Sequence, residues 1–262
     1  MQSHTAAKPA VNIRRIMQRV PIVLALCALA LSFSPAASAD PIAQLVQVQQ
    51  RASSALRHAK FADLAGEQAS RDVRHIADWA VHSGDHGGRP FVVVDKVDAR
   101  VFVFDSEGRL RGASAALVGA AQGDHTVPDI GNRKISSILP EERTTPAGRF
   151  TASVGRGPKG EDILWVDYDN ALALHRVVTG VPEERRLQRL QSKVAVDRRI
   201  TYGCINVPAS FYERVVAPAF QQSGGVVYIL PESRRPQDVF GSYEVRRDPS
   251  AHLSALPLPV AH

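Results

Sequence analysis

The 262-residue chain is 44% hydrophobic, 22% charged and 6% aromatic. That composition fits one folded domain with an appendage and excludes a disordered, collagenous or disulfide-scaffold protein. The formal charge of +6 suggests a nucleic-acid partner only until the cations are located, because four of them stand at the front.

Residues 1–39 carry Lys8, Arg14, Arg15 and Arg19 and no acid, then the apolar run Val20 to Phe33, then Ala37-Ser38-Ala39 before Asp40. This is the pattern of a secretory signal peptide. Its apolar core of about 14 residues is shorter than the roughly 20 that span a bilayer. Cleavage leaves a net charge of about +2. The expectation is an exported, periplasmic protein of the cell envelope with no nucleic-acid partner and no stable membrane insertion. Of the two cysteines, Cys27 lies within the signal core, so the mature chain keeps Cys204 alone. A single thiol in an oxidising compartment cannot form an internal disulfide. Catalysis and a buried inert cysteine both remain open from the count.

Residues 40–88 read as a helical N-terminal segment of two helices. Ile42, Leu45, Val46 and Leu56 serve the first, Val73, Ile76, Ala77, Trp79 and Ala80 the second, with Gly66 and Ser70 near the join. The glycine-rich stretch His82 to Gly88 closes the segment as a flexible turn; His82, Asp85 and His86 have a spacing that could hold a metal, but no further fixed ligand accompanies them. From residue 89 to 233 β-branched and aromatic residues dominate. Strands are expected at Phe91–Val94, Val101–Phe104, Leu110–Val118, Phe150–Val154, Ile163–Tyr168, Ala171–Val178 and Val226–Leu230, with Asp105 to Gly108 as a hairpin turn. One helix follows Pro208, its apolar face made by Phe211, Tyr212, Val215, Val216 and Ala219. Residues 234–262, with Pro249, Pro257 and Pro259, read as a C-terminal tail. Trp79 and Trp165 are expected to pack.

Cys204 lies in Arg198-Arg199-Ile200-Thr201-Tyr202-Gly203-Cys204-Ile205-Asn206-Val207, between an expected strand end and the start of that helix. Neighbouring arginines and helix-start N–H groups would lower the thiol pKa and favour a thiolate nucleophile. Gly203 permits unusual backbone angles, and successive N–H groups at Gly203 and Cys204 would receive an oxyanion. Among the histidines of the mature chain, His175 alone lies inside an expected strand. Alternation puts its ring on a face with the small Ala171 and Ala173. A half-buried structural histidine is the plainer alternative.

These residues resemble the catalytic domain of the L,D-transpeptidase family, the YkuD fold. The family signature is a strand histidine followed later by Ser or Thr, His, Gly, Cys, an apolar residue and Arg or Asn. His175 and Thr201-Tyr202-Gly203-Cys204-Ile205-Asn206 match it in order, and Thr145-Pro146-Ala147-Gly148-Arg149-Phe150 matches a second element, Thr-Pro-x-Gly-x-Phe. The resemblance implies a mainly β fold with a few helices, a sandwich or barrel, preceded by the helical segment. It implies Cys204 as acylated nucleophile, His175 as proton shuttle and the Gly203 and Cys204 amides as oxyanion donors. Tyr202, Asn206 and Arg199 are candidate substrate-binding residues, Asn206 alternatively satisfying backbone groups and Arg199 alternatively an exposed arginine. No cofactor and no metal are expected.

The implied partners are peptidoglycan stem peptides, with an envelope protein as a further acyl acceptor. A peptidoglycan hydrolase or amidase of the same fold and a non-catalytic wall-binding protein are the alternatives. Tyr202 stands where the family usually has histidine. The interval between His175 and Thr201 is about ten residues longer than usual, the excess being the charged stretch 182–191, read as a helical excursion that acts as a lid or as a passive insertion.

Overall fold

The run of β-branched and aromatic residues from 91 to 104 forms the centre of the molecule in the computed structural model, which describes residues 61–246. The expected signal peptide, the first N-terminal helix and residues 247–262 lie outside the described residues.

Eight strands make one sheet: β1 (Phe91–Asp95), β2 (Arg100–Phe104), β3 (Leu110–Ala115), β5 (Gly148–Arg156), β6 (Asp162–Asp167), β7 (Leu172–Arg176), β9 (Ile205–Val207) and β10 (Gly225–Ile229). Their spatial order is β3-β2-β1-β10-β5-β6-β7-β9, with β4 (Val118–Gly119) and β8 (Arg199–Thr201) as a separate parallel pair. Antiparallel hairpins build most of the sheet, while β1–β10 and β7–β9 are parallel. Just beyond β3, Leu117 exchanges backbone hydrogen bonds of 2.8 and 2.9 Å with Asn206 of β9. This bridge joins the two outer ends of the order, so the sheet is nearly closed, and the mainly β expectation holds.

Alternation along the strands divides the core. Val92, Val94, Val101 and Val103 point to one side with Leu164, Leu174, Ile205 and Tyr212. Phe91, Val93, Phe102 and Phe104 point to the other, with Tyr228 and Trp79. Strands buried on both faces need near-continuous apolar sequence, which explains why 91–94 and 101–104 show no polar alternation. The first side is filled by one helical run: α3 (Ala209–Phe211), a π-helical turn (Tyr212–Val216) and α4 (Ala217–Phe220).

The second side is covered by helix α1 (Arg71–Ser83). Ser70 caps it, its hydroxyl accepting from the Val73 N–H at 3.2 Å, and Gly84 ends it at φ 73°. Residues 61–70 are not helical; Ser70 is a start signal rather than a join, and Asp63 pairs with Arg109 beside the hairpin turn. Val73, Ile76, Ala77 and Ala80 are fully buried, so α1 is part of the folded core. Ile76→Ala should destabilise by about 2–4 kcal/mol, the usual cost of deleting a buried branched side chain. Urea unfolding checks this, and a loss below about 1 kcal/mol would mean that α1 adds little.

The hairpin turn forms at Asp105 to Gly108, the Gly108 N–H donating to Asp105 O at 3.1 Å. Three elements escaped the sequence reading: β8 and β9 are three residues each, and a short helix α5 (Pro236–Phe240) lies within the expected tail. The 182–191 stretch is helical as expected, a 3-10 turn (Pro182–Glu184) followed by α2 (Arg186–Gln191).

A buried polar cluster ties four segments together. Lys96, just after β1, donates to Gly123 O, Asp124 Oδ1 and Thr145 O at 2.6, 2.9 and 2.9 Å. Asp124 also accepts from Ser233 and the Glu232 N–H, and Arg199 pairs with Glu232. Burial alone would raise the Asp124 carboxyl, but the bonds from Ser233 and Lys96 and from the Glu232 and Ser233 amides hold it well below the usual carboxylate range. A depressed folded-state pKa contributes stability above the unfolded value of about 3.9 and loses it as pH falls. Stability should therefore drop below about pH 4. Asp124→Asn should flatten that acid limb in urea unfolding at stepped pH.

Candidate active site

Parallel pairing of β7 with β9 sets Leu174 beside Ile205, His175 beside Asn206 and Arg176 beside Val207. Leu174 and Ile205 are fully buried in the core. Successive side chains alternate, so His175 and Asn206 share the opposite face. Cys204 stands just before β9, where the Ala173 N–H bonds its sulfur. His175 lies on a strand as expected, with Ala173 two residues before it, whereas Ala171 stands in the turn before the strand at φ 53°.

Cys204 is half-buried. It lines a pocket of about 280 Å³ with Tyr202, Gly203, Ala171, Ile130 and Ile138. The Sγ–H donates to Ala171 O at 3.5 Å. The thiol is not at a helix start: β9 intervenes, and α3 begins only at Ala209. Nor do the flanking arginines face it. Arg198 donates to Ser192 O and Asp98 O, and Arg199 turns away. The expected lowering of the thiol pKa is therefore corrected. Burial pushes the Cys204 thiol up, while an Ala173 N–H bond to sulfur and the charge of Arg186 oppose the rise. A pocket wall removes water from the thiolate more than these groups restore.

Gly203 adopts φ +134°, and a Cβ there would stand 2.8 Å from Thr144 O, so the corner before the cysteine requires glycine. The Gly203 N–H donates to Thr201 Oγ1 at 3.2 Å and Gly203 O accepts from Thr145 Oγ1 at 2.7 Å. The Thr145 hydroxyl also accepts from the Gly119 N–H at 2.8 Å and pins the corner from the far side. The Tyr202 ring lies under the Arg143 guanidinium, 4.2 Å from its carbon to the ring centroid. That contact fixes the phenol at the pocket wall.

His175 donates from Nδ1 to Arg176 O at 2.7 Å and accepts at Nε2 from Asn206 Nδ2 at 3.1 Å. The ring is neutral in this arrangement, since an imidazolium would need acceptors at both nitrogens. Burial is the main cause of a pKa lowered from the ordinary histidine value, and Arg186 adds to it. Asn206 is 1% exposed. It neither caps a helix nor faces the pocket; it holds the imidazole. Its Oδ1 accepts from Arg186 Nη1 at 2.8 Å, a partner that sequence spacing gave no means of finding.

Arg199, expected either at a substrate carboxylate or exposed, is neither. Its side chain is 9% exposed and its guanidinium is committed to Glu232 and to the carbonyls of Lys96, Ala121 and Gly119. An arginine beside a buried glutamate and a cage of carbonyls is held by them, which removes it from the substrate-binding set. His82, Asp85 and His86 do not converge: His82 meets Tyr243, Asp85 meets Arg149 and Tyr228, and His86 meets Ala80 O and Ser106 O. Trp79 packs as expected, edge-on to Tyr228, and Trp165 meets Tyr168 edge-on.

No protein-family model and no curated protein matches the chain. Solved structures similar to it include an L,D-transpeptidase in complex with imipenem, 13% identical over 54% of this chain and 58% of that one, with a TM-score of 0.31. The catalytic domain of the E. faecium L,D-transpeptidase is 14% identical over 55% of this chain and 98% of its own, at a TM-score of 0.30. An L,D-transpeptidase from Stackebrandtia nassauensis is 13% identical over 70% of this chain and 65% of its own, at 0.30. The chain spans less than two thirds of the first and third of these, and the likeness lies at the level of the fold.

Proposed function

We propose that the protein is an exported acyltransferase of the L,D-transpeptidase type, acting on peptidoglycan stem peptides through a Cys204 thioester. The observation that supports the reading is the β7–β9 pairing, which sets His175 beside Asn206, two residues after the pocket-lining Cys204. The matching sequence elements at 145–150, 175 and 201–206 support it.

In the proposed cycle Cys204 Sγ attacks the carbonyl at the L-centre of the third stem residue, and the thiol proton passes to His175 Nε2. A C–S bond forms as the C–N bond breaks, and D-alanine leaves with the proton held on the imidazole. An amine then attacks the thioester, His175 takes its proton, and the thiol is regenerated with a new amide. Water in place of the amine gives a carboxylate. The Gly203 N–H is occupied by Thr201, so the Cys204 amide is the oxyanion donor assigned at this corner.

In the resting arrangement Asn206 occupies Nε2 and the thiol points to Ala171. Proton transfer requires the amide to yield when substrate fills the pocket, as catalytic hydrogen bonds commonly tighten only in the bound complex. A raised thiol and a lowered imidazole mean that nucleophile and base rest as a neutral pair rather than as thiolate and imidazolium.

The test is incubation of the purified protein with disaccharide-tetrapeptide, and separately with a carbapenem, followed by intact-mass measurement. D-alanine release and one carbapenem adduct at Cys204 are expected. Absence of both would overturn the proposal. Larger dimers among the products indicate transfer, and tripeptide alone indicates hydrolysis.

A further inference from the structure

The 182–191 excursion places one side chain against the site. Arg186, at the start of α2, is 13% exposed on its side chain; its Nε donates to Glu184 Oε2 at 2.5 Å and its Nη1 to Asn206 Oδ1 at 2.8 Å. Glu184 holds the guanidinium plane from behind while the fork reaches inward. An amide has one acceptor end and one donor end. With Oδ1 committed to Arg186, the NH2 end must face His175.

We propose that Arg186 is a positioning residue: by gripping Asn206 Oδ1 it turns the amide NH2 onto His175 Nε2 and thereby holds the imidazole in its neutral, proton-accepting form. The inference deepens the function proposed above and rests on it for its catalytic meaning. If the amide were released, it could rotate to present Oδ1 to the ring, and an acceptor at Nε2 beside Arg176 O at Nδ1 would favour the imidazolium. The excursion is then neither a passive loop nor a cover over the pocket. It supplies the outermost link of a chain that runs Glu184, Arg186, Asn206, His175.

The charged groups that bear on the ring are Arg186 from the excursion and Glu161 from the β5–β6 turn. Arg176 contributes its carbonyl, its guanidinium being turned to Asp162 and Glu213. Arg186 favours neutral imidazole and thiolate alike, whereas Glu161 favours the imidazolium. Removing Arg186 therefore alters both partners in directions that can be read separately.

The test uses the full chain and needs no substrate. His175 is titrated by 15N-edited NMR, and Cys204 is alkylated with iodoacetamide across pH, in the wild type, Arg186→Gln and Arg186→Lys. In Arg186→Gln the His175 midpoint should move upward and the alkylation rate at neutral pH should fall about fivefold. Arg186→Lys, which keeps the charge but loses the fork, should restore most of the alkylation rate while the His175 midpoint stays raised. An unchanged His175 midpoint in Arg186→Lys overturns the proposal, even where Arg186→Gln raises it, because loss of charge alone would then account for the shift. Should Arg186→Gln fail to fold, Arg186→Lys decides alone: an unchanged midpoint sinks the idea. Failure of the proposed function reads differently, as a wild-type protein that forms no adduct and releases no D-alanine.

Discussion

Cys204→Ala should abolish carbapenem acylation and lower D-alanine release by at least about 10⁴-fold, the scale on which loss of a covalent nucleophile is felt when the remaining residues act as a unit. The substitution is small, the residue is half-buried at a pocket wall, and folding should be unaffected, so circular dichroism and thermal unfolding should match the wild type. Cys204→Ser carries a sharper argument. The hydroxyl occupies nearly the same space and keeps the bond to Ala171 O, but its pKa lies far above that of a thiol, and the His175 imidazole proposed as its base is weak because burial lowers its pKa. Serine should therefore be almost as inactive as alanine. His175→Gln should separate the two stages: acylation slowed by about 10²–10⁴, with the adduct still detectable at alkaline pH where the thiol ionises unaided. If Cys204→Ala retains D-alanine release, the nucleophile has been misassigned.

The second large effect concerns stability. Lys96→Met should cost about 3–5 kcal/mol, because it strips the buried ammonium from a fully buried carboxylate, leaving Arg234 at 3.7 Å, and takes the Lys96 bond from two carbonyls. For a domain of this size that corresponds to a fall in Tm of roughly 6–20 °C. The ammonium is itself lowered by burial, held up in part by Asp124 and Glu232, so the pair exists on close terms with its desolvation penalty. The double variant Lys96→Met, Asp124→Leu should recover part of the loss, since no charge is then stranded. Recovery will be incomplete, because Asp124 also accepts from Ser233 and from the Glu232 amide. The same variant should disturb the site, for Lys96 also binds Thr145 O while Thr145 Oγ1 pins Gly203. Differential scanning calorimetry measures the first effect and iodoacetamide reactivity of Cys204 the second. A Tm unchanged within about 3 °C would show that the cluster is stabilised by other contacts.

Several of the elements follow from local pattern. The strands at 91–95 and 100–104 are unbroken β-branched and aromatic runs, and the helix after Pro208 has a clear apolar face. Helix α1 is bounded by Ser70 and Gly84, residues whose capping chemistry is local. Strands β8 and β9 were not visible because three residues carry no periodicity; they exist through their partners, Val118 and Gly119 for one and β7 for the other. Arg199 shows the same limit in a side chain. An isolated arginine reads as exposed or substrate-facing, yet Glu232, 33 residues away, and three carbonyls bury it.

Sequence by itself determined the mainly β class, a cysteine outside the N-terminal apolar run, the histidine on a strand, and the glycine that the corner before Cys204 requires. Each of these depends on a residue and its near neighbours: side-chain alternation, branching at Cβ, or a backbone angle that only glycine adopts easily. Tertiary structure alone decided that Cys204 rests as a raised thiol, that Asn206 serves His175, and that Arg186 and Thr145 support them. Those outcomes depend on burial and on hydrogen bonds between segments 20 to 58 residues apart, and a group's charge state is set by what surrounds it in space.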